Sequence, residues 1–497
     1  MTTSLVLWLA LIGAADQAGP TVRIGSKAFN ESVILGEVAQ RLIQSAGVAS
    51  VHRRGLGGTQ VLFHALEADN LDVYPEYTGT ISDEILAQPN LRDEHELRKA
   101  LAARGVGMSR PLGFNNTYAI GVRDDLAKKF GIRNISDLRN HAHLKFGFSN
   151  EFMDRADGWP GLRSRYRLPQ RDVRGLDHDL AYRALASGEI QATDLYSTDA
   201  EIQRGRLRLL RDDLKFFPSY ECVWLYRTDL PRRAPKAFEA LKGLEGRISA
   251  TEMAALNARA KLDHVAESQV AADFVANQFG IDATIKVDTY LERLWRRLVE
   301  HLALVSISLS AAIALAIPLG ILAAHRPMFG SVILTLAGVI QTVPSLALLV
   351  FMIPWLGIGT KPALAALLLY SLLPIIRNTT TGLLDIPASL RESAEALGLS
   401  PRARLWRIEL PMASRSILAG IKTAAVINVG TATIGALIGA GGFGQPILTG
   451  IRRDDVSMIL FDGAIPASIL AIAVQGAFDL SERIFVPKGL SNQSTER

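Results

Sequence analysis

The sequence predicts an α/β domain followed by an all-α domain that spans a membrane. Between residues 20 and 300, apolar runs of strand length alternate with helical patterns, and this alternation favours a parallel sheet covered by helices. Between residues 301 and 480, long runs carry almost no charged residue, as membrane-spanning helices require.

Composition sets few further limits. The 497 residues suffice for two or three domains, and the net charge of +5 gives no reason to expect nucleic acid as a partner. The single cysteine, Cys222, excludes an intramolecular disulfide bond. The nine His form no pairs at metal-ligand spacing and no Ser-His-Asp set stands out, so a soluble enzyme is disfavoured. We expect no catalytic residue, metal or cofactor in this chain.

The first segment, residues 1–19, holds an apolar stretch from Leu5 to Ile12 followed by small residues. This stretch is shorter than the about 20 residues that cross a bilayer. It is typical of a signal-peptide core, although no Lys or Arg precedes it. A frayed N-terminal helix is the alternative.

The α/β domain is expected over residues 20–286. The runs "TVRIGSK", "YAIGVR" and "LKFGFS" predict strands, whereas "NESVILGEVAQRLIQSAG" and "LAYRALASGEI" predict helices. In such folds ligands bind at the carboxyl ends of the strands.

The membrane part begins after an amphipathic linker helix predicted over residues 287–300. Five runs are long enough to be spans, or six if the second splits. They are residues 302–324, 329–360, 362–376, 416–451 and 456–478.

An arginine-rich segment, residues 377–411, separates the third and fourth spans. The positive-inside rule locates this segment in the cytoplasm. Counting spans in both directions then makes residues 20–286 extracytoplasmic and the tail, residues 486–497, cytoplasmic. The charged run "IRRDD" at 451–455 disagrees with this count, which leaves it outside.

Two short helices are predicted within residues 387–411 of this segment. Pro387 opens the first, and Gly398 stands at the C′ position where a glycine ends a helix. Ser400 and Pro401 form an N-cap and a first helical residue for the second. One face of the first helix is apolar: Leu390, Ala394 and Leu397. The segment is either a docking surface or a solvated connector.

Four tyrosines of the α/β domain lie in loop-like settings, and two cations follow turns. A single loop tyrosine more often packs than binds, and an isolated Lys or Arg is usually solvated. Sequence spacing alone does not bring these residues together. They are Tyr77, Tyr118, Tyr196, Tyr220, Lys27 and Arg155.

The segment 387–411 resembles the EAA loop of ABC-importer permeases. The pattern runs from Glu392-Ser393-Ala394 through Gly398 to Ile408-Glu409-Leu410-Pro411, and Ser393 departs from the usual alanine. The resemblance extends over residues 297–485, and it implies a permease domain over 301–485 whose loop meets an ATPase subunit. The coupling positions are then Glu392, Ala394, Gly398, Ile408, Leu410 and Pro411. Because the chain lacks a G-x-x-x-x-G-K-[ST] phosphate loop, ATP would be bound by a separate polypeptide.

Six motifs in residues 22–285 resemble the glycine betaine/choline-type substrate-binding proteins of osmoprotectant ABC importers. They are "GSKAFNESVILGE", "DVYPEYTGT", "GFNNTYAI", "EFMDRADGWPGL", "DLYSTD" and "FFPSY". The resemblance implies an α/β two-lobe periplasmic-binding-protein fold (type II-like). One lobe would comprise residues 20–113 plus 220–285, and the other residues 114–219.

The resemblance also assigns ligand-binding positions. Tyr77, Tyr118, Tyr196 and Tyr220 match the aromatic box of the family, and Lys27, Thr80 and Arg155 match its carboxylate-binding positions. Rings suit a quaternary ammonium, whereas a Lys and an Arg suit a carboxylate. A site with both favours a zwitterion such as glycine betaine over choline. Tyr74, the other tyrosine of "DVYPEYTGT", is expected to pack.

The resemblances together imply the binding and permease subunit of an ABC importer, multi-pass in the cell (inner) membrane and in contact with its lipid. Its expected partners are an ABC ATPase, a second copy of the permease and a quaternary-ammonium ligand. Two alternatives stay open. The same architecture could import choline, carnitine, ergothioneine or an amino acid, or the chain could be a membrane sensor of ligand.

Overall fold

The computed structural model describes residues 21–485 except 90, 156, 205–206, 282–288 and 454. The predicted signal segment 1–19, the tail 486–497 and the start of the predicted linker helix lie outside the described residues. The chain divides into two units, Met1–Val287 with Ile451–Asp455, and Asp288–Gly450 with Val456–Arg497. The predicted domain limits themselves stay a prediction.

Two five-stranded sheets organise the first unit. The strands of the described residues are β1 (Val22–Gly25), β2 (Ser50–Arg53), β3 (Val73–Tyr77), β4 (Val106–Met108), β5 (Tyr118–Arg123), β6 (Phe146–Ser149), β7 (Val173–Leu176), β8 (Ala192–Tyr196), β9 (Leu207–Leu209) and β10 (Cys222–Arg227). The first sheet has the order β2-β1-β3-β10-β4, and the second β7-β6-β8-β5-β9. Two sheets connected by crossing chain segments confirm the two-lobe α/β fold class.

Helices cover these sheets. In the first unit they are α1 (Asn30–Ser45), α2 (Thr59–Glu67), α3 (Glu94–Ala102), α4 (Asp124–Phe130), α5 (Asn150–Asp154), α6 (Trp159–Tyr166), α7 (His178–Ser187), α8 (Leu230–Arg233), α9 (Pro235–Lys242), α10 (Ala250–Lys261) and α11 (Glu267–Phe279). Short helical turns occupy Thr78–Thr80, Ile81–Ile85, Ile135–Asn140 and Ala200–Arg204.

The predicted parallel sheet is correct for three strands of each sheet and wrong for the others. β1 pairs in parallel with β2 and β3, and β6 with β7 and β8. β10 and β5 are antiparallel to both of their neighbours. These are the strands that follow the crossings between the lobes. A chain that crosses enters its new sheet from the opposite end, which the local residue pattern does not encode.

The second unit is helical. Its helices are α12 (Tyr290–His325), α13 (Pro327–Thr342), α14 (Ser345–Leu356), α15 (Thr360–Leu384), α16 (Ala388–Ala396), α17 (Pro401–Arg404), α18 (Leu410–Ala432), α19 (Gly444–Arg452, ending in the first unit) and α20 (Ile465–Phe485). Wider or tighter helical turns occupy Leu405–Glu409, Ile434–Ile438 and Met458–Ala464.

Among the described residues, four helical stretches are long and apolar enough to cross a membrane, and a fifth span exists if α13 and α14 count as one. These two helices meet at 99°. The predicted linker helix is not a separate element, because its described residues form the first turns of α12. The predicted fourth span is shorter than expected, since α18 ends at Ala432.

Small residues allow the membrane helices to approach closely. A Cβ on Gly320 of α12 would lie 2.6 Å from Cβ of Thr379 on α15, and one on Gly420 of α18 would lie 2.7 Å from Cβ of Asn378 on α15. Helices in lipid associate largely through such close packing, so α15 forms the centre of this part.

Candidate ligand site and its membrane partner domain

Three of the four predicted box tyrosines lie at strand ends. Tyr77 is the last residue of β3, Tyr118 begins β5 and Tyr196 ends β8. Tyr118 and Tyr196 are direct cross-strand neighbours, and their ring centroids are 5.2 Å apart. Tyr220, just before β10, meets Tyr118 edge to face at 5.6 Å. Strand ends therefore bring rings from both sheets to one point.

All seven predicted ligand-binding positions line one cavity of about 350 Å³. The cavity also includes three residues that the sequence prediction missed: Phe29, Asn116 and Glu151. Phe29 and Asn116 lie inside the motifs "GSKAFNE" and "GFNNTYAI", so motif membership was an available signal. The roles of the seven residues in binding stay a prediction.

Burial keeps the box tyrosines neutral. It raises the pKa of Tyr77, Tyr118, Tyr196 and Tyr220 above the ordinary value of 10, and nearby carboxylates raise that of Tyr77 and Tyr220 further. Neutral phenols present electron-rich ring faces to the cavity and retain a hydroxyl that donates a hydrogen bond.

Both predicted carboxylate-binding cations already contact carboxylates. The Lys27 ammonium donates to Glu76 at 2.6 Å and to Thr59 at 3.0 Å. The Arg155 guanidinium donates to Asp157 through Nε at 2.7 Å and through Nη2 at 2.6 Å. Sequence reasoning missed these partners, although Asp157 stands two residues after Arg155. Neither cation is the solvated surface charge that its sequence context alone indicates.

The turn "YTGT" holds the cavity wall close to Tyr220. A Cβ on Gly79 would lie 2.4 Å from the Tyr220 ring, so this position accepts no larger side chain without moving that ring. The Tyr220 hydroxyl donates to Asp157. Thr80 is buried in the same turn. Tyr74 is fully buried in the core, as expected for packing.

The predicted coupling loop forms two helices, α16 and α17. Gly398 has φ +71° and follows α16 as its C′ residue, and the Ser400 hydroxyl accepts from the Ala403 amide, so both predicted boundaries are confirmed. The Glu409 carboxylate, just before α18, accepts from Arg404 at 3.1 Å and contacts the His325 ring at 3.1 Å. This buried carboxylate ties the loop to the end of α12.

The apolar face predicted for the first loop helix is wrong as a packing face within this chain. Ala394 is 1% exposed, but Leu390 is 40% exposed and Leu397 is 79% exposed. Trp406 in the same loop is 69% exposed. A period of three to four residues indicates a shared face but not whether the same chain covers it. The other predicted coupling positions are only partly covered or exposed: Glu392, Ile408, Leu410 and Pro411.

A two-lobe α/β domain with a ligand-sized cavity, followed by membrane-spanning helices with this loop, defines a binding protein fused to an importer permease. Comparison with family models agrees. Residues 20–277 match the substrate binding domain of the ABC-type glycine betaine transport system, and residues 316–488 match the binding-protein-dependent transport system inner membrane component. The chain belongs to the ABC-type glycine betaine substrate-binding family, and it carries an ABC-importer permease domain in the same polypeptide.

Individual relatives share one or both parts. The choline transport system permease protein OpuBB of Bacillus subtilis is 38% identical over 191 residues, covering 38% of this chain and 88% of that protein. The ergothioneine transport permease/ergothioneine binding protein EgtU of Helicobacter pylori is 32% identical over 279 residues, covering 54% of this chain and 49% of that protein. A crystal structure described as a glycine betaine/carnitine/choline ABC transporter is 27% identical, covers 52% of this chain and 98% of its own, and has a TM-score of 0.45.

Proposed function

We propose that this chain binds and imports a compact quaternary-ammonium solute, with glycine betaine as the first candidate. The observation that carries the proposal is the convergence of four neutral tyrosines from both sheets on one cavity. A quaternary ammonium has no N–H to donate, so hydrogen bonds do not select it. Its diffuse charge is held by ring faces, each worth about 0.5–2 kcal/mol.

The charge balance of the cavity supports a second candidate, choline. Lys27 and Arg155 are compensated by Glu76 and Asp157, so a ligand carboxylate would compete with protein carboxylates for both cations. A ligand without a carboxylate avoids this competition. Relatives named for choline and ergothioneine transport keep carnitine, ergothioneine and an amino acid in the test as further ligands.

Calorimetric titration of the full chain in detergent separates these ligands. The panel is glycine betaine, choline, carnitine, ergothioneine, proline and tetramethylammonium, which reports on the ring cage alone. We expect every quaternary ammonium that fits to bind and proline not to bind. A chain that binds proline but no quaternary ammonium would contradict the proposal. Tighter binding of choline than of glycine betaine would replace the first candidate by the second.

The transport cycle that we propose needs an ATPase subunit in the cytoplasm and two copies of the permease. The exposed side chains of Leu397 and Trp406 support a docking role for the loop, because large apolar groups are usually covered in a complete assembly. The substrate-binding domain would lie outside the cell and close on ligand. ATP-driven motion at residues 387–411 would then open the path inward.

Uptake into proteoliposomes tests this cycle. The chain is reconstituted with its co-purified ATPase, and labelled ligand is followed with ATP or with a non-hydrolysable analogue. We expect uptake with ATP only, and cross-linking should capture a dimer of the chain. Ligand binding without a co-purifying ATPase would favour the membrane sensor. Cleavage of the substrate-binding domain by protease added to intact spheroplasts would support its extracytoplasmic orientation.

A further inference from the structure

Glu31, near the start of α1, is a buried carboxylate that the ligand prediction does not use. Its residue is 2% exposed. Oε1 accepts from the Tyr77 hydroxyl at 2.6 Å and from the Asn116 amide at 2.8 Å. Oε2 accepts from the Thr198 hydroxyl and from the Asn257 amide at 2.9 Å. Four donors therefore surround the two oxygens, an arrangement that suits the ionised form.

No cation pairs with Glu31 among the described residues. Each of its four partners is a neutral side chain. A buried charge without an opposite charge is costly, and such groups are retained mainly where the charge is used. Burial raises the pKa of Glu31, and the four hydrogen bonds oppose that rise. The position in the first turn of α1 also favours a negative charge.

Glu37, one and a half turns further along α1, provides a contrast. It is also buried, but its Oε1 contacts Arg54 Nε at 2.7 Å and the His52 ring at 2.6 Å. Glu37 does not line the ligand cavity, and its partners lie on and just after β2. The helix thus carries one carboxylate bonded to basic groups and one bonded only to neutral donors beside the box.

The bond to Tyr77 connects this charge to the ligand cavity. A phenol that donates to a carboxylate gains electron density, which makes its ring face more attractive to a cation. Thr198 follows β8 of the second sheet, whereas Tyr77 ends β3 of the first. The Glu31 carboxylate therefore holds together groups from both lobes next to the box.

We propose that Glu31 is a specificity-determining residue of the ligand site, which acts through the Tyr77 hydroxyl to make the box select a positive charge. This inference rests on the proposed function, because it assumes a cationic group in the box. Glu31 itself need not touch the ligand. It positions and polarises a ring that does.

A double-mutant cycle measures this action. Wild type, Glu31→Gln, Tyr77→Phe and the double variant are titrated with tetramethylammonium in detergent at mildly alkaline pH. We expect Glu31→Gln to weaken binding at least about tenfold in the wild-type background, but at most about threefold once Tyr77 is Phe. A purely structural role would give the same loss in both backgrounds. Equal losses, or no loss, would overturn the proposal.

Glu37→Gln is the matched control, since it also removes a buried carboxylate from α1. Both variants should lower the melting temperature, but Glu37→Gln should leave the tetramethylammonium affinity within about twofold. A tenfold loss in Glu37→Gln would also overturn the proposal, because the effect would then be generic. If Glu31→Gln does not fold, Glu31→Asp replaces it in the cycle, since it withdraws the carboxylate from Tyr77 by one methylene.

The two proposals fail in different ways. A wild-type chain that binds no tetramethylammonium and no choline would contradict the proposed function. A wild-type chain that binds them, with Glu31→Gln binding equally well, would contradict only the role of Glu31.

Discussion

Arg155 donates two parallel hydrogen bonds to Asp157, at 2.7 and 2.6 Å, and its guanidinium carbon lies 5.6 Å from the centre of the Tyr118 ring. A bidentate contact of this kind is among the stronger ion pairs in proteins. The guanidinium that would hold a ligand carboxylate is thus already bound to a carboxylate of the same lobe. Ligand choice at this site depends on how the two carboxylates share one cation.

Replacing Asp157 should shift the preference toward carboxylate ligands. Asp157→Asn removes the competing charge, so we expect the ratio of glycine betaine affinity to choline affinity to rise at least about fivefold. Arg155→Ala should shift the same ratio in the opposite direction. Calorimetry with both ligands measures the ratio, and the Arg155→Ala/Asp157→Asn variant controls for net charge. Equal losses for the two ligands in Arg155→Ala would refute the role of Arg155.

Removing the central ring of the box should weaken every quaternary ammonium. Tyr118 contacts Tyr196 and Tyr220, so Tyr118→Ala deletes one ring face and loosens two others. We expect at least about a tenfold loss of affinity in titrations with tetramethylammonium. Tyr226→Ala is the control, since Tyr226 packs on Phe238 and does not line the cavity. Unchanged binding in Tyr118→Ala would remove this ring from the site.

A charge at Gly398 should stop transport without affecting ligand binding. Gly398 has φ +71°, and a Cβ added there meets no atom within 4 Å, so the backbone rather than a clash limits substitution. Asn and Asp both tolerate this conformation, and they differ in charge. We expect Gly398→Asn to retain most uptake in proteoliposomes and Gly398→Asp to abolish it. Ligand affinity should stay the same in both, and transport by Gly398→Asp would remove the coupling role of this position.

Glu37 should make the substrate-binding domain sensitive to acid. Burial alone would raise the pKa of Glu37, but Arg54 and His52 outweigh it and lower this pKa from 4.5 to about 2. A carboxylate with a lowered folded pKa contributes stability above its unfolded pKa, and this contribution is lost as the pH falls from about 4.5 through about 2.

Unfolding of Glu37→Gln as a function of pH tests this contribution. The variant should be less stable than wild type at neutral pH, and the difference should shrink as the pH falls through that window. Intrinsic fluorescence during thermal unfolding provides the measurement. Glu239→Gln is the control, because Glu239 is exposed and pairs only with Lys242 on the surface. A difference that stays constant down to about pH 2 would contradict the assigned ion pairs.

Much of this protein could be predicted from local patterns. Charge-free runs located the membrane helices, because lipid excludes charge whatever the surrounding fold. Gly398 and Ser400 marked helix boundaries, because a left-handed residue and an N-cap are local requirements. The seven ligand positions came from the resemblance of six motifs, and they lie around one cavity. Residue spacing alone would not have brought Tyr77 and Tyr196 together, since 119 positions separate two residues that end strands in different sheets.

The sequence by itself determined the two-part α/β and membrane architecture, the helix caps of the loop and the residue types of the ligand site. Only the tertiary structure decided the electrostatic state of that site. Whether Lys27 and Arg155 are free, and whether Glu31 meets cations or neutral donors, depends on partners from distant segments such as Glu76, Asn116 and Thr198. Charge compensation acts through distances of a few ångströms in space, and no spacing along the chain encodes those distances.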